Sequence, residues 1–580
     1  MSEQIISPGV FQRENDQSFL QTKIPTAGAA LMGPTPLGVV GVPTICTTYS
    51  DYLNRFGSSF LSGSNQFTYF TSIAAYNYFQ NGGDTLLVTR ITPGGFSSAT
   101  SSLVSASSSA DNVFTIETLT EGEVANSTSP ESSGGSLSSG SKENLRWEVS
   151  QRDETKGTFT LLVRRGNDIT NEKSILETWT NLNLDPQTPN FISKVIGDTS
   201  QNVQIDADGT TYLQTSGSYT NISRYIRIKS VNVLTPNYLD NAGSAKTEFT
   251  GSIPKLSSGS FGAGVGDMFS IGACNFYQNI TDGGATADNT QGLKAADYTQ
   301  SLSLLANKDE YKYNSIIAPG LVYSSTSTGH NQTINTLINN SQTRGDNLAV
   351  IDSAFYNTEP GSVVANSTAL NSSYAATYWP WLQTVDPDTG QLVWVPASTM
   401  IPSIFAFNDS VSEPWFAPAG LNRGALNSVV RAERKLPQTT RDTLYDGNVN
   451  PIATFPNTGV VVYGQKTLQL KSSALDRVNV RRLLIALKNF IGDISQFIVF
   501  EQNTISTRNQ FLSQVNPYLE SVQQRQGLFA FKVVMDDSNN TPDVIDRNQL
   551  VGQIFIQPTR TAEFIYLDFN ILPTGATFPA

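Results

Sequence analysis

The stretch that decides the fold of the C-terminal part is Asp476-Arg-Val-Asn-Val-Arg-Arg-Leu-Leu-Ile-Ala-Leu-Lys-Asn-Phe-Ile491. Asp476 is a preferred N-cap residue and Gly492 is a common helix stop, so the stretch predicts one helix. Its apolar side chains recur at the i, i+3, i+4, i+7 spacing that places them on one helix face. The face consists of Val480, Leu483, Leu484, Leu487 and Ile491.

A row of basic residues runs along the flank of this helix. The row consists of Arg477, Arg481, Arg482 and Lys488. Charges on a helix commonly form a solvated face. The alternative is a docking face for acidic patches on a partner, and the sequence leaves both open.

Strand signals lie on both sides of the helix. A valine-rich strand is predicted at 459–464, and further strands at 528–535 and 550–556. A second helical stretch, 507–526, is predicted to be divided by Pro517, and residues 536–542 form a turn rich in Asp, Asn and Pro.

The last predicted strand runs from Glu563 to Ile571 and alternates between two faces. An apolar strand at a chain end exposes unpaired N–H and C=O groups, so it tends to complete another sheet. The alternative is that it completes the sheet of its own domain. Ile565, Leu567, Phe569 and Ile571 share one face, and Phe564 and Tyr566 share the other.

The first 22 residues are predicted to form an arm. They are polar, contain Pro8-Gly9, and include Ile5, Ile6, Val10 and Phe11 among their few large apolar residues. Residues 23–93 and those after 297 alternate between strand and helix, which predicts one partly parallel sheet. The serine-rich stretch between them would then be an insertion.

The predicted fold is multi-domain, with an α/β core, a C-terminal α+β domain and a β-rich insertion. A chain of 580 residues is too long for one core, which agrees with several domains. The predicted boundaries are an arm at 1–22, an α/β domain at 23–93 with 297–410, an insertion of one or two domains at 94–296, a C-terminal domain at 411–562, and a second arm at 563–580.

Composition argues against several classes of partner and compartment. The net charge of −12 disfavours a nucleic-acid partner. No run of about 18 apolar residues occurs, so no membrane insertion is expected. Cys46 and Cys274 lie far apart, and no signal peptide is visible, which favours a reduced cytoplasmic origin.

The sequence shows no convincing catalytic set, and we expect no enzyme activity, no metal and no cofactor. The single histidine, His330, stands at a predicted helix start, where a structural role is the usual one. One histidine and two distant cysteines do not form a common zinc set. The acidic pairs Asp386 with Asp388 and Asp536 with Asp537 lie in turns, although a sugar or calcium site would look the same. The Trp-rich stretch 374–395 predicts a hairpin around 386–390.

Several short motifs occur in an order that resembles contractile phage tail sheath proteins of the long, multi-domain type. At the N-terminus these are Ser7-Pro-Gly-Val10, Gly28-Ala-Ala-Leu-Met-Gly-Pro34, Asp51-Tyr-Leu-Asn-Arg-Phe-Gly57 and Leu86-Leu-Val-Thr-Arg90. Further along are Pro418-Ala-Gly-Leu-Asn-Arg-Gly424, Arg441-Asp-Thr-Leu-Tyr445, Asp476-Arg-Val-Asn-Val-Arg-Arg482, Thr541-Pro-Asp-Val-Ile-Asp-Arg-Asn548 and Ile554-Phe-Ile-Gln-Pro558. No single motif is specific, but the ordered set is.

The resemblance implies a structural subunit in the virion tail, assembled in the host cytoplasm, in which the β-rich insertion is an outer insertion. Six copies would form a ring, and stacked rings would surround a tail tube and contract to drive it through the host envelope for genome delivery. The implied partners are other copies of the chain, the tail tube protein, and the baseplate and tail terminator proteins. The arms would exchange strands between subunits, and Arg477, Arg481, Arg482 and Lys488 would face the tube or a neighbour.

Two other functions stay open on the sequence. The same fold could serve a bacterial contractile injection system or tailocin. A carbohydrate-binding or hydrolytic tail protein would instead use the aromatic hairpin and the turn carboxylates.

Overall fold

A computed structural model gives the fold of the chain. It describes residues 26–566 apart from 63, 64, 109, 128–131, 133, 134, 268–275, 283–287, 326, 327 and 457. Part of the predicted arms therefore lies outside the described residues, namely Ile5, Ile6, Val10, Phe11, Leu567, Phe569 and Ile571.

The described strands fall into seven sheets. In chain order they are β1 (Ala29–Gly33), β2 (Thr44–Cys46), β3 (Ser59–Ser62), β4 (Asn65–Thr68), β5 (Leu86–Arg90), β6 (Ser98–Val104), β7 (Asn112–Glu121), β8 (Leu145–Asp153), β9 (Thr158–Arg165), β10 (Ile175–Leu182), β11 (Ser200–Ile205), β12 (Thr211–Ser216), β13 (Ile226–Val231), β14 (Ser257–Ser260), β15 (Ser315–Val322), β16 (Leu348–Asp352), β17 (Ala375–Trp379), β18 (Leu382–Val385), β19 (Leu392–Val395), β20 (Val429–Ala432), β21 (Asn450–Phe455), β22 (Gly459–Val462), β23 (Leu528–Val534) and β24 (Gln553–Pro558).

The α-helices lie mainly outside the insertion. They are α1 (Tyr49–Phe56), α2 (Phe70–Gln80), α3 (Ile192–Ile196), α4 (Thr247–Thr250), α5 (Phe276–Asn279), α6 (Thr299–Leu305), α7 (Gly329–Arg344), α8 (Pro360–Thr368), α9 (Ile401–Val411), α10 (Gln438–Asp446), α11 (Val478–Gln496), α12 (Ile505–Gln524) and α13 (Pro542–Asp546).

An eight-stranded sheet forms the centre of the molecule, in the order β2-β5-β1-β15-β16-β17-β21-β22. The six inner strands are parallel, and an antiparallel strand closes each edge. Pairing of β1 with β15 places Ala30 beside Ile316. This pairing confirms that the segments before and after the insertion build one sheet.

Two apolar layers cover the central sheet because successive side chains of a strand point to opposite faces. Leu31 and Val88 face a layer that includes α2 and α9. Ala30 and Leu87 face the layer of α6 and α7. The parallel strands are therefore buried on both sides, as their continuous apolar runs require.

The structure corrects one predicted boundary of this domain. The central sheet does not end near residue 410, because β21 and β22 extend it to Val462. Within the sheet, β15 passes through Pro319-Gly320 with a shift in register between Ile317 and Val322. Gly320 takes a φ of 101°, which accommodates the irregularity without a turn.

The insertion is β-rich, as predicted. Its sheets have the orders β10-β9-β8-β14, β13-β7-β6 and β11-β12. Phe114, Trp147, Phe159 and Leu161 belong to one buried cluster that joins the first two sheets. The insertion therefore has a hydrophobic core of its own.

Arg90 joins the insertion to the central sheet. Its guanidinium is fully buried and donates hydrogen bonds to the carbonyl oxygens of Thr35 (3.2 Å), Pro36 (3.3 Å), Gly38 (2.5 Å) and Glu121 (2.9 Å). Burial lowers the pKa of Arg90 to about 10, so the side chain stays charged at neutral pH. One cation thus satisfies carbonyl groups from both domains.

Replacement of Arg90 should destabilise this junction. In Arg90→Ala the four carbonyl oxygens lose a charged donor in a buried site, and we expect the free energy of unfolding to fall by about 3 kcal/mol. Urea unfolding measures the change, with the exposed Arg224→Ala as the matched control. A loss no larger than that of the control would contradict the role of Arg90.

A second buried charge, Asp352, ends β16. Its carboxylate accepts hydrogen bonds from the Ser398 N–H (3.0 Å) and the Ser398 hydroxyl (2.5 Å). Burial raises the pKa of Asp352 from 3.8 to about 7, against the opposing effect of these hydrogen bonds. The protonated carboxyl therefore makes its full contribution to the free energy of unfolding below pH 3.8. This contribution is lost as the pH rises through about 7.

Asp352→Asn should remove this pH dependence. Relative to wild type, we expect the variant to gain about 2 kcal/mol in free energy of unfolding between pH 5 and pH 8, because only the wild-type carboxyl ionises. Urea unfolding of both proteins at the two pH values measures the difference. An equal difference at pH 5 and pH 8 would show that Asp352 does not titrate in this range.

Candidate functional site

The helix quoted at the outset is the centre of a C-terminal unit. Here α11 and α12 pack together and against the two-stranded sheet of β23 and β24 around a cluster of buried residues that includes Leu483, Leu487, Phe511, Val515 and Leu528. The predicted apolar face is confirmed. Val480, Leu483 and Leu487 are buried, and Leu484 and Ile491 are partly buried against the same cluster.

Helix α11 is longer than predicted, and α12 is not divided as predicted. Helix α11 begins at Val478, after a 3-10 turn that contains Asp476, and it continues through Gly492 to Gln496. Ile494 packs on the cluster, so burial outweighs the cost of about 1 kcal/mol for a glycine within a helix. Helix α12 likewise continues through Pro517, because Val515 and Leu519 on either side of it are buried.

Two members of the basic row are buried inside the chain. Arg481 lies 3.9 Å from the centre of the Tyr374 ring and donates to the Ser373 carbonyl oxygen at 3.1 Å. Arg482 donates to Asp409 at 2.7 Å and stacks on Phe405. They are 3% and 8% exposed. These contacts attach α11 to the central domain, so Arg481 and Arg482 do not form an exposed charged face in this structure.

The other two members of the row are also engaged within the chain. The exposed Lys488 donates to the Tyr374 hydroxyl at 3.0 Å. Arg477 is bonded to Glu563 through two nitrogens, at 2.8 and 3.1 Å. That these cations meet a tube or a neighbour stays a prediction, and Lys488 is the most accessible of the four.

The sheet of β23 and β24 has no further strand among the residues that the structure describes. Phe531 lies opposite Ile556 and Val533 opposite Ile554, and these four side chains face the helices. Phe529 and Phe555 are 75% and 57% exposed. Neither outer edge of this sheet is paired with another described strand, and two of its aromatic side chains are exposed.

The predicted final strand is not formed in its described part. Residues 559–566 have no regular secondary structure, and Phe564, Ile565 and Tyr566 are 69%, 77% and 88% exposed. A strand forms only where a partner edge supplies its hydrogen bonds. The part of this segment that the structure describes, up to Tyr566, therefore pairs with no strand among the described residues.

Sequence analysis missed a polar cluster immediately before this segment. The carboxylate of Glu563 receives hydrogen bonds from Arg477, Gln465 and Tyr445. These residues are 86 to 118 positions away from Glu563, so no local spacing could have revealed the cluster. The only hint was a lone acidic residue at the start of an apolar run.

Three of the residues considered for catalysis make contacts within the fold. His330 is fully buried in α7, its Nδ1 accepts from the Val322 N–H at 3.1 Å, and burial lowers its pKa. Asp386 and Asp536 accept hydrogen bonds inside their own turns, from Thr389 and Ser538 respectively. The described residues contain no group of three or more metal-binding side chains.

The aromatic hairpin is formed by β18 and β19, as predicted. However, Trp379 and Trp381 are only 1% and 2% exposed, and Arg431 lies over the ring of Trp394 at 5.3 Å. The two buried tryptophans have no free face for a sugar ring to stack on. Nor does any helix within the described ranges have the length and apolarity needed to cross a membrane.

The burial of Arg482 leads to a direct test of the basic row. In Arg482→Gln the Asp409 carboxylate loses its cation and the Phe405 contact is weakened, so we expect a loss of about 2 kcal/mol in free energy of unfolding. Lys488→Gln removes an exposed charge from the same helix and should change stability by less than about 0.5 kcal/mol. Urea unfolding of the two variants measures both changes in free energy of unfolding. Equal and small changes would mean that Arg482 is solvated.

Two adjoining parts of the chain match known families. Residues 291–468 match the phage tail sheath protein central domain, and residues 471–572 match the phage tail sheath C-terminal domain. The first match ends just after β22, and the second begins just before α11. The division agrees with the observed extent of the central sheet.

Two curated proteins that resemble this chain are phage tail sheath proteins. The tail sheath protein of Vibrio phage KVP40 is 38% identical over 218 residues, which is 38% of this chain and 32% of that protein. The tail sheath protein of Enterobacteria phage T4 is 38% identical over 223 residues, which is 38% of this chain and 34% of that protein. The matched region thus spans about a third of the length of these relatives.

A solved structure extends the likeness in fold. The crystal structure of the sheath tail protein from Listeria innocua covers 93% of this chain and 96% of its own, with a TM-score of 0.51 and 11% identity. At that identity the likeness concerns the fold. The two domain matches and the curated relatives identify residues 291–572 as similar to the central and C-terminal domains of phage tail sheath proteins.

Proposed function

We propose that this chain is the structural subunit of a contractile tail sheath. Six copies form a ring, and rings stack helically around a tail tube. Shortening of the sheath drives the tube through the host envelope for genome delivery. The observation that carries this proposal is the two-stranded sheet of β23 and β24, whose outer edges have no partner strand in the described chain.

The open edges fit strand exchange between subunits. An edge strand presents a row of N–H and C=O groups that a foreign strand can pair with, and two-stranded sheets are only marginally stable by themselves. The chain has two apolar segments of suitable pattern, 5–11 and 564–571. A strand of about nine residues spans roughly 30 Å, which is long enough to reach an adjacent subunit.

Contraction needs neither a cofactor nor a catalytic site in this mechanism. The free energy is stored in an extended assembly that is less stable than the contracted one, and exchanged strands keep subunits linked while their bodies change packing. The partners are other copies of the chain, the tail tube protein, and the baseplate and tail terminator proteins, with no direct nucleic acid and no membrane insertion. The assembly forms in the host cytoplasm and is located in the virion tail.

Part of the basic row is the proposed inner surface. Lys488 is exposed on α11, whereas Arg481 and Arg482 hold this helix against the central domain. Lys488 and the exposed side of α11 are therefore the main part of the proposed tube-facing surface. A contractile injection system would use the same construction, but the curated relatives named above are phage proteins, which favours the phage tail.

Electron microscopy of the purified full chain tests the proposal. We expect the wild type to form helical tubes. Deletion of residues 1–22 or 564–580 should prevent tube formation, because β23 and β24 then lack a donated strand. The control is Ile205→Ser, which removes an exposed apolar side chain from β11 in the insertion and should leave the tubes intact.

Two results would contradict the proposal. If the wild type stays monomeric at every concentration and salt condition in which it is soluble, the sheath function fails. If both deletion variants form tubes like those of the wild type, the sheath function survives but strand exchange through the arms does not.

A further inference from the structure

The segment that leads into the C-terminal arm is attached to the body of the protein through few contacts. The last hydrogen bond between described backbone groups in this segment joins the Thr559 N–H to the Gly527 carbonyl oxygen, at 3.2 Å. From Phe564 onward the side chains are largely exposed. Whatever holds the segment between these two points must act through side chains.

Glu563 supplies the main side-chain attachment. Its Oε1 accepts from Arg477 Nε at 2.8 Å and from Gln465 Nε2 at 2.9 Å. Its Oε2 accepts from Arg477 Nη2 at 3.1 Å and from the Tyr445 hydroxyl at 2.9 Å. The carboxylate therefore has four donors, and its contact with Arg477 is bidentate, the geometry in which such pairs are strongest.

The surroundings of Glu563 favour its charged form. Burial alone raises the pKa of this carboxyl, but the hydrogen bonds from Arg477, Gln465 and Tyr445 outweigh burial and lower the pKa below its ordinary value. The Glu563 side chain is 19% exposed and that of Arg477 is 25% exposed. The pair is thus partly desolvated, so it is worth more than a surface ion pair.

The donors belong to the end of the central sheet and not to the sheet of β23 and β24. Gln465 and Lys466 follow β22, and the Asn450 side chain in β21 bonds both the N–H and the carbonyl oxygen of Lys466, at 2.6 and 2.7 Å. The Val478 N–H at the start of α11 donates to the Gln465 carbonyl oxygen at 2.7 Å. Arg477 is therefore fixed to the same corner.

Tyr445 completes the corner from α10. Lys466 Nζ lies 4.5 Å from the centre of the Tyr445 ring and donates to the Tyr445 carbonyl oxygen at 2.7 Å. The Arg477 guanidinium lies 5.9 Å from the same ring. Two cations thus hold the ring in the position from which its hydroxyl reaches Glu563.

We propose that Glu563, held by Arg477, Gln465 and Tyr445, is the anchor that fixes the root of the C-terminal arm to the central sheet. Gln465 Nε2 also donates to the Thr561 hydroxyl oxygen at 2.7 Å, which adds a second point of attachment two residues earlier. A pull on the arm is then passed to β21 and β22 and not to the hairpin of β23 and β24. The mechanical role rests on the proposed function, whereas the anchor itself is a property of the single chain.

Trypsin cleavage of the full-length chain after Arg560 tests the anchor. Arg560 is exposed, but the bond that follows it lies within the segment held at Thr561 and Glu563, so cleavage requires that segment to open. Release of the peptide 561–580 is followed by mass spectrometry. Cleavage after the exposed Arg547, outside the anchored segment, serves as the internal reference.

The variants should separate the anchor from general destabilisation. In Glu563→Ala we expect cleavage after Arg560 to accelerate about tenfold or more, since loss of a charged hydrogen-bonded group of this kind raises the open population by that factor. Tyr445→Phe removes one donor and should give a smaller increase. The matched controls Glu520→Gln, on an exposed face of α12, and Tyr463→Phe, beside Phe455, should cleave like the wild type.

Each remaining outcome counts against the anchor. If Glu563→Ala and Tyr445→Phe both cleave at the wild-type rate after Arg560, Glu563 does not hold the segment. If cleavage after Arg547 accelerates equally, the substitution has loosened the whole C-terminal unit and the local role is wrong.

The test also distinguishes the anchor from the sheath function. Faster cleavage after Arg560 in a protein that never forms tubes would retain the anchor and reject the sheath. An unchanged rate in a protein that does form tubes would retain the sheath and reject the anchor. If the anchor and the sheath function are both correct, tubes of Glu563→Ala should dissociate at a lower denaturant concentration than tubes of Glu520→Gln.

Discussion

The pairing of β1 with β15 is the contact on which the rest of the structure depends. It places Ala30 beside Ile316 and so closes one sheet across the whole insertion. Without it, β2, β5 and β1 would form a three-stranded sheet separate from β15 and the strands that follow, and the insertion would not be held at both of its ends. The buried apolar runs on both faces of the central strands supply the free energy that holds this pairing, because each strand is covered by helices on either side.

The central sheet also organises the part of the chain proposed for assembly. Arg481 and Arg482 hold α11 against the central domain through Tyr374 and Asp409. Arg477 at the start of the same helix holds Glu563, and thus the segment that leads to the C-terminal arm. The cations of α11 therefore link the central sheet, the C-terminal unit and the arm. In the proposed sheath, this arrangement lets each subunit move as one body while its arms stay joined to its neighbours.

Much of the fold could be predicted from the sequence because its signals are local. Helix α1 begins after Thr48, whose side chain accepts from the Asp51 N–H as an N-cap residue does. The alternation of strand and helix correctly indicated a parallel sheet interrupted by a β-rich insertion. The ordered motifs indicated the family whose central and C-terminal domains residues 291–468 and 471–572 match.

The errors arose where contacts distant in sequence outweigh local preference. Burial of Ile494 carries α11 through Gly492, and strand pairing of β21 and β22 extends the central sheet beyond residue 410. Charge patterning indicated a flanking row of cations, but it could not show that Arg481 and Arg482 face aromatic rings of the central domain. The donors to Glu563 come from three separate segments, so only the folded chain brings them together.

The central claim is that neighbouring copies complete the sheet of β23 and β24. The most direct measurement is a cryo-electron microscopy reconstruction of assembled tubes in which the backbone can be traced. The account predicts at least one additional strand on this sheet, formed by residues 5–11 or 564–571 of another copy. A tube in which β23 and β24 remain two-stranded, with the arms bound elsewhere, would contradict it.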